Sequence, residues 1–182
     1  MDSSRGELPE RQRQTSETPR LPKIWVGYLL GLATSIAEIV AVKQHPELLK
    51  GALLRPPLYL FLPNFISLVY WMVCVYEYHV VLRFLTGGKY RTKPLRAAWF
   101  HLIPIYQFYW AYKWARELSR FVNSRLNELL MKPERVGFLV SFAFFFFVLL
   151  DRGLGMILLF WAASYLSACL NRALQEPRPT AS

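Results

Sequence analysis

Val136–Leu150, "VGFLVSFAFFFFVLL", has no polar side to turn toward water. A surface helix of a soluble domain needs such a side. Three further blocks share this character. Ile24–Val42 is 19 residues with one charge, Glu38, and Leu58–Leu82 is 25 residues with one formal charge, Glu77. Leu154–Leu170 adds 17 uncharged residues. A hydrocarbon core of roughly 30 Å takes about 20 helical residues at ~1.5 Å each. The first two blocks reach that length alone, and the last two reach it with flanking residues. Hydrophobic residues make up 54% of the 182 and aromatic ones 16%, above the roughly 45–50% apolar share of soluble domains. The blocks predict an all-α integral membrane bundle with crossings at 24–43, 58–84, 136–150 and 154–172.

The remainder divides simply. Residues 23–174 form one membrane-embedded domain. Residues 1–22, polar and near charge balance, and 175–182 read as disordered tails. The start lacks the short basic segment and apolar core of a cleaved secretory signal. Cys74 and Cys169 both fall in apolar helices, where buried free thiols are expected.

Lys and Arg in short loops set membrane orientation. Arg83 to Arg135 holds 11 of the 22 basic residues against three acids, Glu117, Glu128 and Glu134. Were 97–112 to cross, that excess would be split between both sides. If the segment turns back, all 11 stay cytoplasmic with both termini, and Lys43, Lys50, Arg55 and the tight turn at 151–153 lie outside. The segment "AAWFHLIPIYQFYWAYKW" carries Trp99, Tyr106, Tyr109, Trp110 and Trp114, the ring chemistry of a headgroup belt. Pro104 interrupts its helical ladder. Residues 95–112 are therefore predicted to form a re-entrant or interfacial helix–break–helix, with five crossings as the alternative. In 113–131, Trp114, Leu118, Phe121, Val122, Leu126, Leu129 and Leu130 recur at spacings of three and four. That is an amphipathic helix, resting on lipid or docked on the protein's own helices, with Arg116, Arg120, Asn123 and Asn127 on its polar side.

"IPIYQFYWAYKWAREL", with Ile105, Tyr106, Tyr109, Trp110 and Lys113 in order, resembles the signature of small bacterial multi-pass membrane domains of unknown function. These carry an Ile-Tyr-x-x-Tyr-Trp run followed by a basic, acidic-leucine helix. The match spans about 20 residues, with Pro104 where a glycine is expected and an extra Trp114. The resemblance implies a bacterial inner membrane and brings no activity with it.

Intramembrane carboxylates are costly to bury and are functional candidates. Glu38 shares a side of its helix with Gly27, Gly31 and Ser35, a small-residue stripe that lets another helix, of this chain or a second copy, approach closely. Glu38 either reaches water at the outer interface or, if buried, pairs with Arg152 of the outer turn. Asn64, Ser67, Trp71, Cys74 and Tyr78 form a semi-polar stripe bordered by Glu77. Glu77 and His79 point about 200° apart on a helix. A Glu77–His101 contact would hold the aromatic segment to the bundle and let the histidine sense pH. Otherwise the two are unrelated interfacial side chains. Lys89, Arg91, Lys93, Arg96, Arg116 and Arg120 are candidates for anionic headgroup contact.

The sequence has no phosphate loop, nucleophile elbow or His-Glu-x-x-His helix. "HPELLK", 45–50, lacks a helix-face partner and a third metal ligand. No cofactor, metal or nucleic acid is implied. The reading is a non-enzymatic membrane protein that binds, scaffolds or regulates at a cytoplasmic aromatic and basic surface. Its partners would be anionic lipid, its own copies or another membrane protein. One alternative is a carrier or channel subunit, with Glu38 and the Asn64–Tyr78 stripe lining a path and Pro63 and Pro104 marking broken helices. A remoter one is an aromatic-pocket ligand binder: "RPPLYLFLPNFISLVYW" is similar in its proline–aromatic opening to the tryptophan-rich sensory proteins, which bind porphyrins and sterols.

Overall fold

A computed structural model describes residues 19–46 and 58–176. Most of the tails, Lys50 and Arg55 lie outside these. The described residues form helices and short connections, with no strand. The helices are α1 (Ile24–Gln44), α2 (Leu58–Leu85), α3 (Pro94–Trp99), α4 (Tyr106–Leu126), α5 (Pro133–Phe145, continued by a π-helical turn Phe146–Leu150) and α6 (Arg152–Gln175). Four of them, α1, α2, α5 with its continuation, and α6, are long and apolar enough to cross a membrane. The protein is an all-α bundle. Helix is the natural state for such runs, because lipid offers backbone groups no partners. Prolines open α3 and α5, where a missing N–H costs nothing. Asp151 caps α6, its Oδ1 accepting from Leu154 N–H at 2.7 Å. Pro63, expected to mark a break, sits inside a continuous α2.

The small-residue stripe of α1 is spent within the chain. A Cβ at Gly27 would land in the Phe160 ring, and Ser35 abuts Gly153. Thr34 Oγ1 and Ser67 Oγ bridge α1 and α2 at 3.3 Å. This corrects the expectation that a second copy could use the Gly27, Gly31 and Ser35 stripe: α6 covers it. The Asn64–Tyr78 stripe is likewise internal. Ser67, Trp71, Cys74 and Tyr78 are fully buried, and the Tyr78 hydroxyl donates to Ala163 O at 2.9 Å beside Ser167 Oγ at 2.8 Å.

Between α2 and α5 the chain makes a helical hairpin. α3 runs back along α2, a 3-10 turn follows at Phe100–Leu102, and α4 returns beside α5. There Gly137 lets Tyr112 approach, and Ser141 Oγ donates to Phe108 O at 3.0 Å. The break falls at Pro104, as its missing N–H demands. The next residue is strained. Ile105 has φ 65° and ψ −52°, and Tyr106 N–H donates across it to Pro104 O at 2.7 Å. That is the rare γ-turn with positive φ, costly for a β-branched residue.

Both feet of the hairpin stand at one end of the bundle. Pro94 lies near Arg83 and Phe84 of α2. At the other foot Asn123 grips Met131, donating to its O at 2.6 Å and accepting from its N–H at 3.0 Å. Arg125 caps α6, donating to Ala173 O at 3.0 Å and Glu176 O at 3.3 Å. The predicted separate amphipathic helix over 113–131 is instead the second half of α4 and stops at Leu126, where Asn127 turns left-handed (φ 51°) and Leu129 is left exposed. Its apolar face, with Trp114, Leu118 and Val122 fully buried, docks on the protein's own helices.

Candidate functional site

The aromatic segment splits between core and surface. Trp110 and Trp114 are 2% and 0% exposed, so they are not belt residues as expected. Periodicity aims both inward, where the Trp114 ring lies 6.3 Å from Trp71 and 6.0 Å from Tyr78. Trp99 and Tyr109 are exposed, and Tyr106 is half-buried.

His101 is buried at the hairpin tip, edge-on to Trp71 at 6.3 Å and to Phe144 at 5.3 Å. Its Nδ1 donates to Ala97 O at 3.2 Å, an acceptor shared with Trp110 Nε1–H at 2.9 Å. The expected Glu77–His101 contact does not form. The tip reaches the level of Trp71, six residues or roughly 9 Å further along α2 than Glu77. Glu77 is half-buried and makes no ion pair among the described residues. Nor is His101 placed to sense pH near neutrality, since burial among rings disfavours the charged imidazolium.

Sequence reasoning gave no role to a second histidine. His79 is fully buried, its Nδ1 donating to Val75 O at 2.8 Å and its ring 6.1 Å from Trp110 and 5.8 Å from Trp114. A carbonyl only accepts, so Nδ1 of each histidine carries the proton and Nε2 keeps its lone pair. His79 Nε2, His101 Nε2, Trp71 Nε1 and Trp114 Nε1 find no hydrogen-bond partner among the described residues. The only sequence signal was a lone histidine in an apolar helix.

Glu38 meets the 151–153 turn as expected, but at its backbone: Oε2 accepts from Gly153 N–H at 3.3 Å. Arg152 is exposed and makes no ion pair among the described residues, though its charge and backbone N–H both act on Glu38. The α5–α6 turn is tight enough that a Cβ on Gly155 would strike the Phe147 backbone.

At the other end Lys89, Arg91, Lys93, Arg96 and Arg120 are exposed and Arg116 is half-buried. Arg116 Nε and Arg120 Nη2 share Glu134 Oε1, at 3.4 and 3.1 Å, an exposed arrangement that adds little stability. Beside them, α5 and α6 bound a groove of about 490 Å³. Lys132 and Arg135 stand over it, Leu139 and Trp161 form its walls, and Tyr165 donates to Leu130 O at 2.9 Å. Among the described residues no cluster of three metal-ligating side chains occurs. Neither a protein-family model, nor a curated protein, nor a solved structure matches the chain.

Proposed function

We propose that this is a non-enzymatic integral membrane protein that binds anionic lipid at its basic end and serves as a binding or scaffolding module there. The α5–α6 groove carries the reading: Lys132 and Arg135 supply charge at its head, and exposed Trp161 an apolar wall. Basic side chains beside a span attract anionic headgroups, each worth about 1 kcal/mol near the surface. With the basic end cytoplasmic by the positive-inside rule, both termini are cytoplasmic and the α3–α4 hairpin is re-entrant. The resemblance of the Ile105–Trp110 segment favours a bacterial inner membrane. A carrier is less well supported, because Ser67 and Tyr78 of the polar stripe spend their hydrogen bonds inside the bundle.

Trp161 reports the groove. In reconstituted protein, phosphatidylglycerol with brominated chains should quench it more strongly than brominated phosphatidylcholine at equal mole fraction, measured against a Trp161→Phe control. The preference should vanish in Lys132→Gln/Arg135→Gln. Equal quenching by both lipids in the unmodified protein refutes the reading.

A further inference from the structure

At the end of the bundle opposite the basic groove, α1 and α2 run on past the α5–α6 turn. Glu38 stands level with Gly153 and Tyr59 hydrogen-bonds Gln44, so α1 continues six residues, roughly 9 Å, beyond that turn. The turn is thereby sunk below the ends of its neighbours. Under it, between α2, the hairpin tip and the turn, lies a cavity of about 380 Å³, within the size range of small-ligand sites. Phe65, Leu68 and Phe147 give it apolar walls, while His101, Gln107 and Arg152 supply polar groups.

Among the described residues, His101 Nε2, the Gln107 amide and the Arg152 guanidinium have no direct side-chain partner. The two neighbouring carboxylates are engaged on α6: Glu38 accepts from Gly153 N–H and Asp151 from Leu154 N–H. Glu38 lies within the field of Arg152 and accepts from its backbone N–H, but the exposed Arg152 guanidinium makes no ion pair among the described residues, and the Gln107 side chain makes no hydrogen bond among them. His101 is 1% exposed and its Nε2 is unpartnered. Because Nδ1 donates to Ala97 O, Nε2 can only accept, and the occupant must bring a hydroxyl or N–H to it. Arg152 calls for an anion, and the walls call for hydrocarbon. We infer that the cavity holds one anionic lipid whose phosphate-bearing head also carries free hydroxyls, its phosphate at Arg152 and a hydroxyl turned to His101.

Phosphatidylglycerol, phosphatidic acid and phosphatidylcholine separate these demands, supplying phosphate with hydroxyls, phosphate without them, and a zwitterion. Binding of each to the delipidated full chain is read by native mass spectrometry. The expected order is phosphatidylglycerol, then phosphatidic acid, then phosphatidylcholine. Arg152→Gln, at an exposed site, should weaken phosphatidylglycerol about tenfold. His101→Phe should abolish its advantage over phosphatidic acid, and Leu102→Trp, which fills the cavity, should remove one bound lipid with thermal unfolding unchanged. The inference is overturned if Arg152→Gln and Leu102→Trp both bind phosphatidylglycerol as the unmodified protein does. Lys132 and Arg135 lie at the opposite end, so loss of the groove lipid in Lys132→Gln/Arg135→Gln is scored separately and tests the other proposal.

Discussion

Gly27 is a point of close α1–α6 approach, and replacing it with alanine sets two effects of opposite sign against each other. In a helix interior, alanine is favoured over glycine by about 1 kcal/mol, so an unopposed Gly27→Ala change would stabilise. Here the added methyl would fall on three atoms of the Phe160 ring. That ring is fully buried and boxed in by Tyr70 at 5.7 Å, Trp71 at 6.0 Å and Tyr28 at 6.4 Å. Overpacking costs about 1–3 kcal/mol, and a ring with nowhere to turn belongs at the upper end. The net is a loss of about 2 kcal/mol. Gly31 is the internal control. A Cβ there meets Ile157 Cγ1 at 3.0 Å and Met156 Cβ at 3.4 Å. The side chains can yield a few tenths of an ångström, while the Ile157 backbone N at 3.3 Å needs only a slight shift of α6, so Gly31→Ala should cost clearly less than Gly27→Ala. Unfolding of detergent-solubilised protein by added dodecyl sulfate, followed by circular dichroism, measures both. Phe160→Leu should rescue Gly27→Ala with a coupling of about 1–2 kcal/mol in a double-mutant cycle. Gly27→Ala at least as stable as the unmodified protein, with coupling under about 0.5 kcal/mol, would refute the packing argument.

Ile105→Gly should stabilise by about 1 kcal/mol in the same assay, because glycine adopts positive φ without the Cβ penalty and strain of this kind costs about 1–3 kcal/mol. Asn123→Ala should destabilise by about 1–3 kcal/mol, since it strips partners from both the N–H and the carbonyl of buried Met131. Hydrogen exchange should then quicken first in the connection between α4 and α5. Arg125→Gln should speed exchange in the last turn of α6, whose carbonyls Arg125 caps.

The helices were legible because lipid leaves an apolar run few choices. The predicted 24–43 and 58–84 became Ile24–Gln44 and Leu58–Leu85, and 154–172 extended to Arg152–Gln175. Pro104 likewise announced its break. The orientation of faces was harder to read. Trp110, Trp114 and Leu118 fit a lipid-facing stripe and a buried one equally well, because hydrocarbon and a protein core reward the same side chains. Neither environment open to Glu38, water or Arg152, named the Gly153 N–H that it meets, since a backbone N–H has no sequence signature. The Glu77–His101 pairing failed on depth: nothing in residues 95–112 tells how far the tip travels along α2. His79 was given no role because its ring neighbours, Trp110 and Trp114, are brought to it by the hairpin.

In the proposed topology the α3–α4 hairpin enters and leaves at one face of the membrane, so that the chain crosses four times. Single cysteines replacing Lys89 and Ser124, exposed residues on either side of the hairpin, test it directly in a background lacking buried Cys74 and Cys169. An impermeant thiol reagent is applied to intact cells and again after permeabilisation. Both positions should be labelled only after permeabilisation. Labelling of Ser124→Cys in intact cells while Lys89→Cys stays protected would mean that the hairpin crosses and the chain spans the membrane five times.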